Sequence, residues 1–307
     1  MINEKLITLK QIRAVTAINQ AGSLTSASEI LNLTTPAVSA QLRALETNLD
    51  AKMFNRGPDG GFSISETGKE VLSTTEDIEA ALQKCYTRVN ALKAGKIGHI
   101  SLGVVSTAKY FAPSLVMKAR EAFPGLDIEL KIGNREDIIQ ALRRNEFDLT
   151  IMGRPPRSPV VEAHGLGDHP HLIIAPPEHP LAGREHVKPE ELLAETFLTR
   201  ELGSGTRILT ERYLDRIGDG AAYNRYELGT NETIKQAVIA GLGIALISAH
   251  TVMAELESGR LIRLNAPGLP LIRQWFVSHR KDRTLSAAAY GIREFLIELE
   301  GSFLPKL

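Results

Sequence analysis

Apolar positions in the first fifty residues recur at helical spacing. Leu9, Ile12, Val15 and Ile18 step by three and share one face of a first helix. Leu24, Ala27, Ile30 and Leu31 mark a short second helix, also one-faced. Asn32 interrupts it, since Asn tolerates turn geometries that helices exclude. Leu33 is expected to re-enter the core. Thr34 or Thr35 then caps a third helix, with Pro36 in its first turn and Val38, Leu42 and Leu45 as its buried stripe. The other face of that helix shows Thr35, Ala37, Ser39, Ala40, Gln41 and Arg43, with Ser23 heading the helix before it. Small and hydrogen-bonding residues on a helix that follows a tight turn suit insertion into a DNA major groove. Gln pairs with adenine, Arg with guanine, and Ser or Thr with base or phosphate. The same features also fit an ordinary small helical domain with a polar surface. Residues 53–56, the turn at Gly57, Gly60 and Gly61, and residues 62–64 add a small β-wing, with Arg56 at its edge.

Periodicity changes at residue 66. Val71, Ile78, Leu82, Cys85, Val89 and Leu92, with Thr75, alternate steps of four and three. That is a heptad seam, and it predicts one helix over 66–94 that packs on its own domain or pairs with a second copy. Ala94, Gly95 and Gly98 end it in a hinge.

Beyond residue 97 strands and helices alternate. Strands are expected at 99–105, 126–132 and 147–152, and helices at 108–123 and 135–144. This βαβαβ order predicts a parallel sheet covered by helices. A second sheet is expected from strands at 171–175, 196–199, 223–228 and 244–247, with helices at 207–217 and 232–240. A late strand at 271–279 rejoins the first sheet, and a helix at 287–300 closes the chain. The expected organisation is a winged helix-turn-helix at 1–65, a dimerisation helix at 66–95, and a two-lobed α/β domain at 96–307. Lobe one takes 96–165 and 269–307, and lobe two takes 166–268.

Charge adds little support for nucleic acid. The chain carries 36 basic and 36 acidic residues, and residues 1–95 hold ten of each. DNA affinity therefore rests on local placement of Arg43, Lys52 and Arg56 and on pairing of two chains. The longest uncharged apolar run, 237–249, is too short to span a bilayer. Charges at Glu4, Lys5, Lys10 and Arg13 leave no signal peptide to draw, so no membrane partner and a cytoplasmic location are expected. Cys85 is the one cysteine, which excludes an internal disulfide; its helical position suggests a buried apolar role.

Ligands of open α/β sheets sit at strand carboxyl ends near helix N-termini. Four loops meet that description: Ser106, Thr107 and Lys109; Asn134 and Arg135; Gly203, Ser204, Thr206 and Arg207; and Asn231. Arg154 stands at a further strand end. Each is also an ordinary cap or turn; together they suggest a cleft for a small anion, a sugar phosphate or a carboxylate. No dinucleotide fingerprint, phosphate loop or GxSxG is present, and no acid, base and nucleophile set stands out. No enzyme activity, cofactor or metal is expected. The histidines at 164, 169, 171, 179 and 186 fit no ligand spacing and are interrupted by Pro, so they are expected in loops or on the surface.

The stretch AVTAINQAGSLTSASEILNLTTPAVSAQLRALE at 14–46, with MFNR at 53–56 and SETGKEVL at 65–72, resembles the N-terminus of LysR-type bacterial transcriptional regulators. The resemblance implies promoter DNA as partner, contacted by Ser23, Thr34, Thr35, Pro36, Ala37, Ser39, Gln41, Arg43 and Arg56. It implies a homodimer through the 66–95 helix, a homotetramer bending DNA, RNA polymerase as a candidate partner, and an effector domain of periplasmic-binding-protein architecture with Ser106 and Thr107 at its ligand. The segments TIMGRPP at 150–156, DHPHLIIAPPEHPL at 168–181 and NETIKQAV at 231–238 further resemble regulators of Rubisco and CO2-fixation operons. The alternatives are a LysR-type regulator of aromatic or amino-acid metabolism and a cytosolic small-molecule binding protein without a DNA role.

Overall fold

The computed structural model describes residues 7–56, 62–93 and 98–306. The chain divides into two compact units, Met1–Tyr86 and Thr87–Leu307.

The first unit is a three-helix core with a two-stranded wing. Helix α1 (Leu9–Ala21) starts in a capping box between Thr8 and Gln11 and ends at Gly22 in the left-handed region. Helix α2 (Leu24–Leu31) is capped by Ser23 and stopped by Asn32 at φ 52°. Helix α3 (Thr35–Leu49) takes Thr34 as its cap, with Pro36 in the first turn. Ile12, Val15, Ile18, Ala27, Val38, Leu42 and Leu45 form the core, closed by Met53 and Phe54 of the wing. Strands β1 (Phe54–Arg56) and β2 (Phe62–Ile64) pair antiparallel. Three expected core residues do not reach it: Leu9 is 37 % exposed, Ile30 58 % and Leu33 46 %. Helix α2 has only eight residues, so its second turn overhangs the core, and Leu33 follows in the turn.

Helix α4 (Glu66–Lys93) runs straight on from the wing. Its seam divides. Val71 and Ile78 pack on the three-helix core, and Thr75 is buried between them. Leu82, Cys85, Tyr86 and Val89 are exposed in the single chain. Cys85 is therefore not the buried residue expected, because the helix outruns the core it starts on. Leu92 of the expected seam and Arg56 of the wing have side chains outside the described residues, as do the wing glycines at 57, 60 and 61 and the hinge at 94–97. An ion pair between Arg13 and Glu79 ties α1 to α4.

The second unit has two lobes on a continuous sheet of order β10-β6-β11-β5-β3-β4, with β9 also paired to β6. Strands β3 (Gly98–Val105), β4 (Leu126–Gly133) and β5 (Leu149–Met152) run parallel, as the βαβαβ pattern predicts. Helices α5 (Ala112–Ala122), α6 (Arg135–Arg143) and α11 (Ala287–Glu298) accompany this lobe. A 3-10 turn at Ser106–Tyr110 takes up the start of the expected 108–123 helix. In the other lobe, β6 (Val161–Ala175) and β9 (Ala245–Ser248) alternate their faces. Ile173 and Leu246 join Tyr213 and Leu214 of α8 (Gly205–Gly218), whereas Leu172, Ile174 and Ile247 join Ile234 and Val238 of α9 (Asn231–Ile239). Strands β7 (Thr196–Arg200) and β8 (Asn224–Leu228) pair parallel. A short helix α7 (Pro189–Leu193), helix α10 (Met253–Glu257) and strand β10 (Ile262–Leu264) were not anticipated.

The main departure is β6. It is fifteen residues long and pairs antiparallel with β11 (Leu271–Arg280) along that strand's whole length, with an irregularity between Trp275 and Phe276. These two strands carry the chain between lobes, and the expected lobe division at 165/166 falls inside β6. Pro170 argues for a loop here, because Pro removes a ladder donor, and Gly165 and Gly167 offer no side chain to pack; pairing with β11 overrides both. His169 and His171 are consequently buried strand residues, not surface or loop histidines.

Candidate effector cleft and DNA-reading helix

Helix α3 carries its polar face beside a tight turn. Pro36, Ala40 and Arg43 are exposed, while Thr35, Ala37, Ser39 and Gln41 are half-buried along the flanks of the core stripe. The cap hydroxyls are engaged: Ser23 Oγ accepts from the Ser26 amide at 3.1 Å and Thr34 Oγ1 from the Ala37 amide at 3.4 Å. Thr35 Oγ1 lies 3.3 Å from the buried Ser28 hydroxyl, which fixes the angle between α2 and α3. The Arg43 guanidinium folds back and donates to Ser39 Oγ at 2.9 Å. A neutral internal partner of this kind is readily exchanged for a base edge or a phosphate.

The second unit encloses a cavity of about 750 Å³ between its lobes. Val105, Ser106 and Thr107 enter from the end of β3; Met152, Gly153 and Arg154 from the end of β5; Ser204, Gly205 and Thr206 from the start of α8. His169, His171 and Arg273 come from the paired crossover strands, where His169 stands opposite Arg273. Six guanidinium groups line the wall: Arg135, Arg154, Arg157, Arg212, Arg216 and Arg273. Neither Asp nor Glu is among the lining residues. The Arg135 pKa is pushed down by burial and then by the charge of Arg154, and its Nη1 is buried without a hydrogen-bond partner among the described residues. Such a wall favours an anion, because guanidinium pairs with carboxylate or phosphate oxygens by charge-assisted, often bidentate bonds. The N-terminus of α8 adds the positive end of a fourteen-residue helix.

Of the residues expected at the ligand, Ser106, Thr107, Arg135, Arg154, Ser204 and Thr206 line the cavity. The others stand elsewhere. Asn134 caps α6 and bonds the Asp137 amide. The carbonyl of Gly203 accepts from the Glu136 amide across the lobes at 3.2 Å. Lys109 lies over the Tyr110 ring, 5.1 Å from its centroid. Arg207 turns to Glu211 and Glu227. Asn231 is buried in the first turn of α9, which Thr230 caps, and it accepts from Arg200.

Asn231 belongs instead to a latch between the lobes. Arg200 donates to Asn231 Oδ1 at 2.5 Å, to Ser106 Oγ at 3.2 Å, and through two nitrogens to the Glu201 carboxylate. Beside it the Tyr110 hydroxyl donates to Glu232 at 2.9 Å, and Lys235 bridges Glu232 and Glu255. Burial, then the Glu232 bond, pushes the Tyr110 pKa up. Burial opposes ionisation of Glu232, but bonds from Lys235 and Tyr110 outweigh it and its pKa falls. Ser106 thus touches both the cavity and the latch.

Arg157, Arg212, Arg216, Arg273, His169 and His171 escaped the sequence reading. For two of them a signal existed. Ser204, Ile208, Arg212 and Arg216 are four residues apart and form one stripe on α8. Arg273 needed the register of β11 against β6, which only tertiary pairing supplies. Among the described residues no cluster of three His, Cys, Asp or Glu is placed to hold a metal, and no helix is long and apolar enough to cross a membrane.

Comparison with known proteins agrees with both halves of this geometry. Residues 9–69 match the bacterial regulatory helix-turn-helix model of the lysR family, and residues 93–300 match the LysR substrate binding domain. The chain is 47 % identical over 306 residues to the HTH-type transcriptional regulator CbbR of Cereibacter sphaeroides, covering 99 % of each protein. The regulatory domain of CcmR from Synechocystis PCC6803, solved in complex with 2-PG, is 34 % identical with a TM-score of 0.63, covering 66 % of this chain and 97 % of that one. Full-length CbnR, solved with its target DNA, shares the fold at 16 % identity and a TM-score of 0.71, covering 96 % of this chain and 100 % of that one. A helix-turn-helix with a wing, followed by a two-lobed domain with a cleft, along a chain that matches these models and relatives, makes this protein a member of the LysR family of bacterial transcriptional regulators.

Proposed function

We propose that the protein controls CO2-fixation genes, reading their promoter through α3 and sensing a small anion in the cleft. The observation that carries the sensory half is the cavity wall, with its six arginines and no acid. The CbbR relatives and the Rubisco-operon regulator of Allochromatium vinosum, 38 % identical over 95 % of the chain, supply the gene class. The 2-phosphoglycolate complex of the CcmR domain supports a phosphorylated carboxylate as the kind of ligand. In the groove, Thr35, Ala37, Ser39, Gln41 and Arg43 contact bases or phosphates, with Arg56 at the wing and the caps Ser23 and Thr34 placing backbone amides near phosphate. The exposed half of the α4 seam, Leu82, Cys85 and Val89, pairs with a second copy, which doubles the phosphate contacts that a neutral domain needs. The ligand acts by favouring one arrangement of the lobes, a population shift set by its differential affinity. The protein turns nothing over: the cleft holds and releases its ligand.

The test is fluorescence anisotropy on a labelled promoter fragment from upstream of a Rubisco operon, against a scrambled duplex, with and without phosphorylated anions. Preference for the promoter by at least about a thousandfold fits specific binding, and the anion changes it. Equal binding to both duplexes, unaltered by any anion, would remove the proposed function.

A further inference from the structure

One group on the cavity wall is out of keeping with its charge. His171 sits on β6 and is 3 % exposed. Its Nδ1 lies 3.1 Å from the carbonyl oxygen of His169, which only accepts, so Nδ1 carries the ring proton. Burial lowers the ring's pKa to about 3; the bond to the His169 carbonyl opposes it, and the nearby Arg273 charge adds to it. The imidazole is neutral near pH 7. Its Nε2 is then an acceptor with no protein donor among the described residues, on a wall whose charged side chains are all arginines. His169 lies alongside, the two ring centroids 4.2 Å apart. It bonds the Ser248 hydroxyl through Nε2 at 2.9 Å, and its buried Nδ1 has no partner. Gly153 keeps this corner open, for a Cβ there would stand 2.8 Å from His169 Nδ1.

Phosphate and carboxylate oxygens at neutral pH are acceptors. They satisfy the arginines and offer His171 nothing. An acceptor sealed under a ligand without a donor is penalised, and a site built around one discriminates against ligands that lack the matching group. We propose that the effector is a hydroxylated anion whose hydroxyl donates to Nε2 of His171 while its phosphate or carboxylate engages the arginines. This rests on the anion-sensing role above and narrows it to phosphorylated hydroxy acids and sugar phosphates. An anion without a hydroxyl, such as 2-phosphoglycolate, binds the same arginines more weakly.

The experiment is isothermal titration of the full-length protein at pH 8 with 3-phosphoglycerate and with 3-phosphonooxypropanoate, which differ only in the C2 hydroxyl. The hydroxylated compound is expected to bind roughly tenfold tighter, the value of one net hydrogen bond. His171→Leu abolishes that difference while still binding the deoxy compound, and His171→Gln, with an amide oxygen to accept, restores part of it. The single tryptophan, Trp275, is buried and stacks on His169 with centroids 3.8 Å apart, so its emission reports occupancy independently. Equal wild-type affinities for the pair would overturn the hydroxyl contact and leave anion sensing intact. So would an enthalpy that varies between buffers with uptake of about one proton, because Nε2 would then be a donor. Binding of neither compound, nor of inorganic phosphate, would remove anion sensing and this proposal together.

Discussion

The DNA-reading helix and the effector cleft present polar groups in opposite ways. Helix α3 shows its groups to water, on one contiguous segment, and its strongest donor is parked on a neighbour: Arg43 rests on Ser39. The cleft gathers its groups from β3, β5, β6, α6, α8 and β11, buries them, and leaves Arg135 Nη1 and His169 Nδ1 unpaired. The first surface costs nothing while free and suits a partner bound through many weak contacts. The second holds like charges together with no acid on the wall itself and suits a small ligand that satisfies them at once. Stored electrostatic tension distinguishes the two, and it is what a ligand can release to change the lobes.

The largest effect tests that tension. Arg135→Gln removes a charge from between neighbours and the unpaired Nη1. Affinity for a phosphorylated anion is expected to fall about 10- to 100-fold, the worth of a charge-assisted bond. The ligand-free melting temperature is expected to hold or rise, because burial and Arg154 both work against this cation. A melting temperature that falls as far as the affinity would mean that Arg135 supports the fold and not the ligand.

Next come the substitutions on α3, where no tension exists to relieve. Gln41→Ala is expected to relax base preference by about 1–3 kcal/mol at one position, seen by competition with point-mutated promoters. Arg43→Ala should weaken all duplexes alike and lower the salt slope by about one. Loss of fold in either variant would contradict the placement of Gln41 and Arg43 outside the core stripe of α3.

Third is pH. His171, with a pKa of about 3, and His250, about 4, are held low by burial, and His169 lies well below its usual range for the same reason. The unfolded chain takes up protons near 6.5 that the native rings refuse. Stability is therefore complete above about pH 6.5 and falls as pH drops toward 4, at up to about 1.4 kcal/mol per pH unit for each ring. Urea midpoints at pH 7 and pH 5.5 measure it; equal midpoints would mean that these rings are not buried neutral.

The smallest effect concerns the latch. Tyr110→Phe removes the bond to Glu232 without touching the cavity wall. A change of a few-fold in anion affinity is expected, within one neutral hydrogen bond of about 0.5–1.5 kcal/mol. No change would mean that the latch contributes equally to both arrangements of the lobes.

The same contrast explains what could be read from the sequence. The helix-turn-helix is local: Ser23, Asn32, Thr34 and Pro36 punctuate it within fourteen residues, so its helices and polar face follow from spacing. Ile30 and Leu33 broke the pattern because burial depends on how far a short helix overhangs its neighbours. The βαβαβ half of the effector unit was equally legible, since β3 and β5 are buried runs and β4 alternates apolar with charged residues between two helical patterns. Of the crossover strands, β11 was legible as the late strand at 271–279, but β6 before residue 171 was not. His169, Pro170 and His171 carry polar and helix-breaking signals, yet pairing of β6 with β11 makes them strand and buries them. Ser106, Thr107, Arg135 and Arg154 were found because strand ends are predictable. Arg273 was not, because it reaches the cavity only through cross-strand register with His169.

The most direct test of the central claim, that the cleft is an anion sensor, is a thermal-shift titration of the full-length protein. The ligands are 3-phosphoglycerate, ribulose bisphosphate and 2-phosphoglycolate, beside an uncharged sugar and a simple aromatic acid. A ligand at 100 times its Kd adds about 2.7 kcal/mol to stability. The account predicts a rise with the phosphorylated anions in the wild type, cut to about 0.4–1.4 kcal/mol in Arg135→Gln at the same concentration and reduced in Arg154→Ala. A rise with the uncharged sugar, or a rise with the phosphorylated anions undiminished by loss of Arg135, would contradict it.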